Sequence, residues 1–256
     1  MRRLIYVCVF HNPDFIRLLL MLLESISLWG KCSEDEIDIL IYTTSFFRSQ
    51  IDIQQFQSLR ILFAIHDGKT SVAQACEARL DIFDIPIVAG YEKILYLDTD
   101  ILVLHRIGAV FDVLEKDVLY AVREGSTSFD CWGRKLFEGG SNPRTPGFNS
   151  GVMLFRNSPT IKTLFQDIRR DIVERAHLYT FMDQPFIVHH AIKNKIYDNH
   201  RLRYFVQLRL YCGGNNRVPF TDRSKTIIHF LGGVGATEHK EIQMRQCLTQ
   251  YRNCKS

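Results

Sequence analysis

Over roughly the first hundred positions, apolar and polar residues follow two alternating rhythms. Short β-rich runs at Leu4–Phe10, Asp38–Thr43 and Arg60–Ile65 are separated by stretches with helical spacing at Phe15–Trp29, Phe46–Phe56 and Ser71–Phe83. This βαβαβα order predicts an α/β fold with a doubly wound, Rossmann-like, mostly parallel central sheet flanked by helices. Ligands of such sheets gather beyond the carboxyl ends of the strands. A fourth apolar strand, Lys93–Leu97, runs directly into Asp98-Thr99-Asp100.

Beyond that point the rhythm loosens. Leu119–Val122 and Gly151–Phe155 read as strands, Ile161–His177 and Asp183–Asn194 as helices, Ile227–Phe230 as a short strand, and Glu238–Tyr251 as a closing helix. Glu124 to Gly147 is rich in Gly, Ser, Asn and Pro and reads as a long loop beside the site rather than a linker. With no repeat and no linker, residues 1–256 are expected to form one domain.

Composition narrows the partners. A net charge of +4 suits an anionic small substrate and falls short of the basic load of a nucleic-acid binder. The seven cysteines are scattered, odd in number and without a CxxC pair, which argues against a zinc ribbon or a disulfide framework and for a reducing, cytoplasmic setting. Met1-Arg2-Arg3 before an apolar run has the order of a signal peptide, but His11-Asn12-Pro13-Asp14 ends that run without a small-residue cleavage site. Phe15 to Leu28 carries Arg17 and Glu24 and is too short to cross a bilayer, so no membrane anchor is expected.

The chemistry centres on Asp98 and Asp100. Residues two apart in an extended chain point to the same side, roughly 6–7 Å apart along the backbone, where two carboxylates can close on one hard divalent cation such as Mn²⁺ or Mg²⁺. A cation with so few protein ligands keeps room for phosphate oxygens. Acidic residues also end strands simply because the chain reaches solvent, and Glu36-Ile37-Asp38 shows how easily the spacing arises. Context separates the readings: the pair lies between the apolar runs Ile94–Leu97 and Ile101–Val103.

In this context the chain resembles the glycogenin and bacterial galactosyltransferase group, glycosyltransferase family eight, with its GT-A fold. Val7-Cys8-Val9-Phe10-His11-Asn12-Pro13-Asp14-Phe15 looks like the family's first strand and nucleotide-contacting turn, which implies base and ribose roles for Val9, His11, Asn12 and Phe15. Arg79-Leu80 matches a basic residue followed by Leu upstream of the acidic pair. Its guanidinium is suited to a phosphate or the donor sugar, or is a solvated helix charge. Phe148-Asn149-Ser150-Gly151-Val152 resembles the family's strand whose Asn contacts the donor sugar; Asn149 and Ser150 offer an amide and a hydroxyl, or form a turn, and Gly151 leaves room for close approach. Asp183-Gln184 resembles an Asp-Gln pair at a helix start, where Asp183 also suits an N-cap, with Pro185 at the first helical position.

The last match is His229-Phe230-Leu231-Gly232, whose His the resemblance makes the third metal ligand; a lone His after an apolar strand is otherwise a structural residue. Gly232, Gly233 and Gly235 bare backbone N–H groups to a phosphate, and Lys240 adds a cation. Here the chain departs from the family, which has Lys, Pro and Trp soon after the Gly where this sequence has Val234-Gly235-Ala236. The resemblance implies a DxD metal site with Asp98, Asp100 and His229 holding Mn²⁺ (Mg²⁺ as the alternative), Asp98 also facing the donor, and Asp183 and Gln184 in the catalytic role. The implied reaction is transfer of a hexose from a UDP-sugar, with retention, to an acceptor glycan or protein. A sugar nucleotidyltransferase and an inactive nucleotide-sugar-binding module stay open as alternatives, and so does a homodimer.

Overall fold

The computed structural model describes residues 2–137, 145–178, 183–209, 222, 224–232 and 236–253. In chain order the elements are β1 (Arg3–Val9), α1 (Asp14–Ser25), β2 (Ile37–Thr43), α2 (Ser45–Gln50), β3 (Ile61–Ile65), α3 (Val72–Glu77), β4 (Lys93–Leu97), β5 (Ile101–Val103), α4 (Gly108–Phe111), β6 (Leu119–Ser126), β7 (Pro146–Arg156), α5 (Pro159–Arg175), α6 (Gln184–Lys193), β8 (Tyr197–Asp198), β9 (Val206–Arg209), β10 (Ile227–Phe230) and α7 (Thr237–Asn253).

Seven strands form one sheet in the order β3-β2-β1-β4-β7-β6-β8. The first four are mutually parallel, as the alternating βα pattern requires. β7 then pairs antiparallel with both β4 and β6, and β8 returns to parallel, so the sheet is mostly rather than wholly parallel. β5, β10 and β9 form a second, three-stranded sheet.

Side-chain alternation divides the core. From β1, Ile5, Val7 and Val9 enter one apolar layer with Ile39, Ile41, Leu95 and Leu97. Leu4, Tyr6 and Phe10 enter the opposite layer with Leu40, Tyr42, Ile94 and Tyr96. α1 covers the first face through Ile16, Leu19, Leu22 and Leu23. The second is covered by Ile161, Leu164, Phe165 and Ile168 of α5 and by Phe186 and Ile187 of α6. A third cluster joins Leu18 and Met21 of α1 to Ile228 and Phe230 of β10 and to Met244, Leu248 and Tyr251 of α7, clamping the small sheet. Among the described residues no helix is long and apolar enough to cross a membrane.

Three expected helices are shorter than their apolar spacing implies. α1 stops at Ser25, whose hydroxyl bonds back to the Leu22 carbonyl (2.7 Å) while accepting from Val103 N–H (3.0 Å), and a wider π turn continues to Gly30. α2 ends at Gln50 because Ile51 is extended, and Asp52 caps a fresh turn by accepting from Gln54 N–H (2.9 Å). α3 has a Ser71/Gln74 capping box, then tightens after Glu77 into a 3₁₀ stretch, Ala78–Asp84. The expected loop from Glu124 begins as strand, since β6 continues to Ser126, and holds two short turns at Asp130–Trp132 and Arg134–Leu136.

Candidate active site

Asp98-Thr99-Asp100 is the link between the two sheets: it leaves β4 of the large one and enters β5 of the small one. Two antiparallel neighbours bring the other parts to it. β7 lies beside β4 so that Asp98 N–H donates to the Gly151 carbonyl (2.8 Å). β10 lies beside β5, with His229 opposite Ile101 and Phe230 N–H donating to the Asp100 carbonyl (2.9 Å). His229 Nε2 therefore stands 3.1 Å from Asp100 Oδ1 and 3.8 Å from Asp98 Oδ2. One ligand atom from each of the three residues falls within 4.8 Å of the others.

This donor set fits a hard divalent cation. Two ligands at right angles about an octahedral ion with bonds of about 2.1 Å stand about 3.0 Å apart, close to the Asp100–His229 separation. Asp100 Oδ1 is buried without an aligned hydrogen bond, so the close approach to the imidazole leaves a lone pair available to an ion. The space is kept open by Gly151. A Cβ there would lie 2.2 Å from His229 Cε1 and 2.5 Å from Asp98 Oδ2, so no other residue fits without displacing the ligands.

Each carboxylate turns its second oxygen to a basic side chain. Asp98 Oδ1 faces Arg79 Nη1 (3.3 Å) and accepts from the Tyr96 hydroxyl (2.5 Å). Asp100 Oδ2 accepts from Lys240 Nζ (2.6 Å). Burial works against the charged form of Asp100, but His229 and Lys240 prevail and hold its carboxyl well below the usual range. Arg79 is not a solvated helix charge. Its side chain is only 11% exposed, pairs with Asp183 Oδ2 through Nε (2.9 Å), donates to the Ser150 carbonyl (2.8 Å) and lies over the Tyr96 ring, 4.8 Å from its centroid. Burial raises Asp183 to about 6 despite that guanidinium.

A cleft of about 370 Å³ opens in front of these groups, lined by Phe10, His11, Asn12, Phe15, Arg79, Asp98, Asp100, Gly232 and Lys240 among others. Of the expected nucleotide-contacting residues, Val9 is not at the cleft: it is fully buried in the core, and its neighbours Cys8 and Phe10 line the wall instead. His11 sits at positive φ with Nδ1 2.8 Å from the Thr70 carbonyl, and Asn12 Oδ1 accepts from Asp14 N–H (2.9 Å) at the start of α1.

The second group lies behind Arg79 rather than on the cleft surface. Asn149 accepts from Gly151 N–H and donates to Glu124 Oε2 (2.8 and 3.0 Å). Gln184 Oε1 accepts from both the N–H and the hydroxyl of Ser150 (3.1 Å each), and its Nε2 donates to the Cys131 carbonyl (3.2 Å). Asp183 stands at the N-cap position of α6 but makes no side-chain capping bond and pairs with Arg79 instead, while Gln184 opens the helix and Pro185 is its second residue rather than its first. Gly235, like Gly233, lies outside the described residues. Tyr96, Cys76 and Thr237 also line the cleft and were not singled out from the sequence. Tyr96 was within reach by alternation, standing two before Asp98 on the same side of the strand.

The family comparison settles the class. The model of glycosyl transferase family 8 matches residues 15–235. The chain belongs to glycosyl transferase family 8. Among solved structures, the glycosyltransferase GlyE of Streptococcus pneumoniae TIGR4 superposes with a TM-score of 0.61 at 14% identity, covering 98% of this chain and 64% of that one. The galactosyltransferase LgtC, solved in complex with donor and acceptor sugar analogs, gives 0.58 at 14% identity over 96% of both chains. Mouse xyloside xylosyltransferase 1 gives 0.58 at 16% identity over 93% of this chain and 99% of its own. These similarities show the GT-A-like fold. The chain spans just under two thirds of GlyE and 49% of the bifunctional glycosyltransferase WbbM. No curated protein matches the sequence.

Proposed function

We propose that the chain transfers a hexose from a UDP-sugar to a glycan or protein acceptor, with retention of the anomeric configuration, using Mn²⁺ at Asp98, Asp100 and His229. The observation that carries this reading is the convergence of those three ligand atoms at a cleft that Arg79 and Lys240 also line. When bound, the cation supplies Lewis-acid stabilisation of a diphosphate leaving group. In this reading His11, Asn12 and Phe15 receive the nucleoside, Phe15 with an aromatic face and Asn12 with its amide N–H₂, which capping leaves unused. Lys240 and Arg79 offset the negative charge that develops on the diphosphate. Asp183 fixes Arg79 from behind, and Gln184 holds Ser150 against the Asp130–Trp132 turn; both act here as positioning residues. The free thiols Cys8, Cys32, Cys76, Cys131 and Cys247 support action in a reducing, cytoplasmic setting.

The test is release of free UDP from UDP-galactose and UDP-glucose with Mn²⁺, with EDTA, and in Asp100→Ala. Metal-dependent release that falls at least about 100-fold in the variant is expected for a group acting in the transition state. UDP binding with no release from either donor would leave a nucleotide-sugar-binding module, and release untouched by EDTA and by Asp100→Ala would reject the metal.

A further inference from the structure

Each carboxylate of the metal site already has a basic side chain beside it. Asp98 gives Oδ1 to Arg79 (3.3 Å) and Asp100 gives Oδ2 to Lys240 (2.6 Å), which leaves Asp98 Oδ2 and Asp100 Oδ1 turned toward His229. Three carboxylates, counting Asp183 behind Arg79, thus face two fixed cations, and the imidazole adds no negative charge. A divalent ion entering alone leaves the cluster with an excess of one positive charge, and leaves Lys240 beside it as a like charge, in a site where Asp100, His229 and Arg79 are shielded from water. A nucleoside diphosphate brings the missing negative charge, and Lys240 and Arg79 both line the cleft through which it would arrive.

Lys240 is built into this position. It rises from the first turn of α7, anchored by Lys240 N–H to the Ala236 carbonyl (3.0 Å), and its aliphatic stem passes over Gly232, where a Cβ would stand 3.1 Å from Lys240 Cε. With its side chain only 15% exposed, it is held on the carboxylate rather than sampling solvent. Since it occupies Oδ2 alone, it need not leave when a cation takes Oδ1. It remains as a like charge beside the ion.

We propose that Lys240, as a resident counter-charge on Asp100, makes binding of the divalent cation conditional on the diphosphate, so that the two enter as a coupled pair and neither binds well alone. The proposal rests on the metal and donor assignments made above. Linkage is reciprocal, so the factor by which UDP tightens Mn²⁺ equals the factor by which Mn²⁺ tightens UDP.

The experiment titrates the full chain with Mn²⁺, following the free-ion signal by electron paramagnetic resonance, with and without saturating UDP. Wild type, Lys240→Met and Lys240→Arg are compared, and a thermal melt of each checks folding. UDP is expected to tighten Mn²⁺ in the wild type by a factor within the ordinary coupling range of about 5–150. In Lys240→Met, Mn²⁺ alone binds several-fold tighter and the UDP factor shrinks; Lys240→Arg keeps the wild-type pattern. Should Lys240→Met melt early, Lys240→Gln replaces it. An unchanged Mn²⁺ affinity without UDP, or an unchanged UDP factor, in a folded charge-removing variant overturns the proposal. A wild type that binds neither Mn²⁺ nor UDP overturns instead the assignment on which it rests.

Discussion

The two halves of the Asp98-Thr99-Asp100 link are built differently. The Asp98 half belongs to the large sheet and is tied at many points: Tyr96 and Arg79 on the carboxylate, Gly151 on the backbone, and behind them Asp183, Ser150 and Gln184. The Asp100 half belongs to the three-stranded sheet and has His229 and Lys240 on its carboxylate and Phe230 on its backbone, Lys240 coming from α7. The first half has one arrangement available to it, because moving Arg79 would strand two acids. In the second, Lys240 engages Asp100 through Oδ2 alone and has no second acid to hold.

Removing the same length of cation from each half breaks this contrast most directly. Arg79→Met leaves Asp98 and buried Asp183 without their guanidinium, and breaking a buried pair in this way costs about 3–5 kcal/mol. Lys240→Met removes one partner from one carboxylate that still faces His229, so it costs distinctly less. Urea denaturation of the two variants at pH 7 measures the difference; equal losses would show that the halves are alike.

Gly151→Ala comes next in size and acts on the seam between the halves. The added methyl falls 2.2 Å from His229 Cε1 and 2.5 Å from Asp98 Oδ2, so the ligands must part. The expected result is loss of Mn²⁺ binding, read by the free-ion signal, with an overpacking cost of about 1–3 kcal/mol that leaves the protein folded. Retained Mn²⁺ affinity in a folded Gly151→Ala protein would contradict the ligand set.

The same contrast explains what was legible in the sequence. Asp98, Asp100 and His229 were readable because strand ends with polar tips are short-range patterns, and the resemblance supplied their order. The parallel strands β1 to β4 were readable from alternation of strand and helix. The pairing of β7 with β4 was not, since nothing in Pro146–Arg156 encodes a direction of pairing, yet that pairing is what sets Gly151 against Asp98. Val9 was assigned to the nucleotide and is in the core because β1 is apolar on both faces, so its residues carry no polar mark of which side meets the cleft. In sequence Asp183 suits both a catalytic role and a helix cap, and its ion pair with Arg79 is invisible there because that partner lies more than a hundred positions earlier.

The last effect expected is a pH dependence that arises in the rigid half. Burial raises Asp183 to about 6, above the 3.8 of a free carboxyl, so the folded chain binds a proton there that the unfolded chain releases. Stability from this group is therefore fully present below about pH 4 and is lost as pH rises through 6. In Asp183→Asn the loss disappears. Thermal melts of both proteins should diverge between pH 4 and 6, the wild type falling relative to the variant, and should run parallel above pH 7. No comparable step follows from Asp100, because His229 and Lys240 hold its carboxyl below the usual range, and any loss from it appears only in stronger acid. Parallel profiles from pH 4 upward would mean that Arg79 outweighs burial at Asp183. The rigid half would then be a fully ionised pair rather than an acid kept partly protonated by the core.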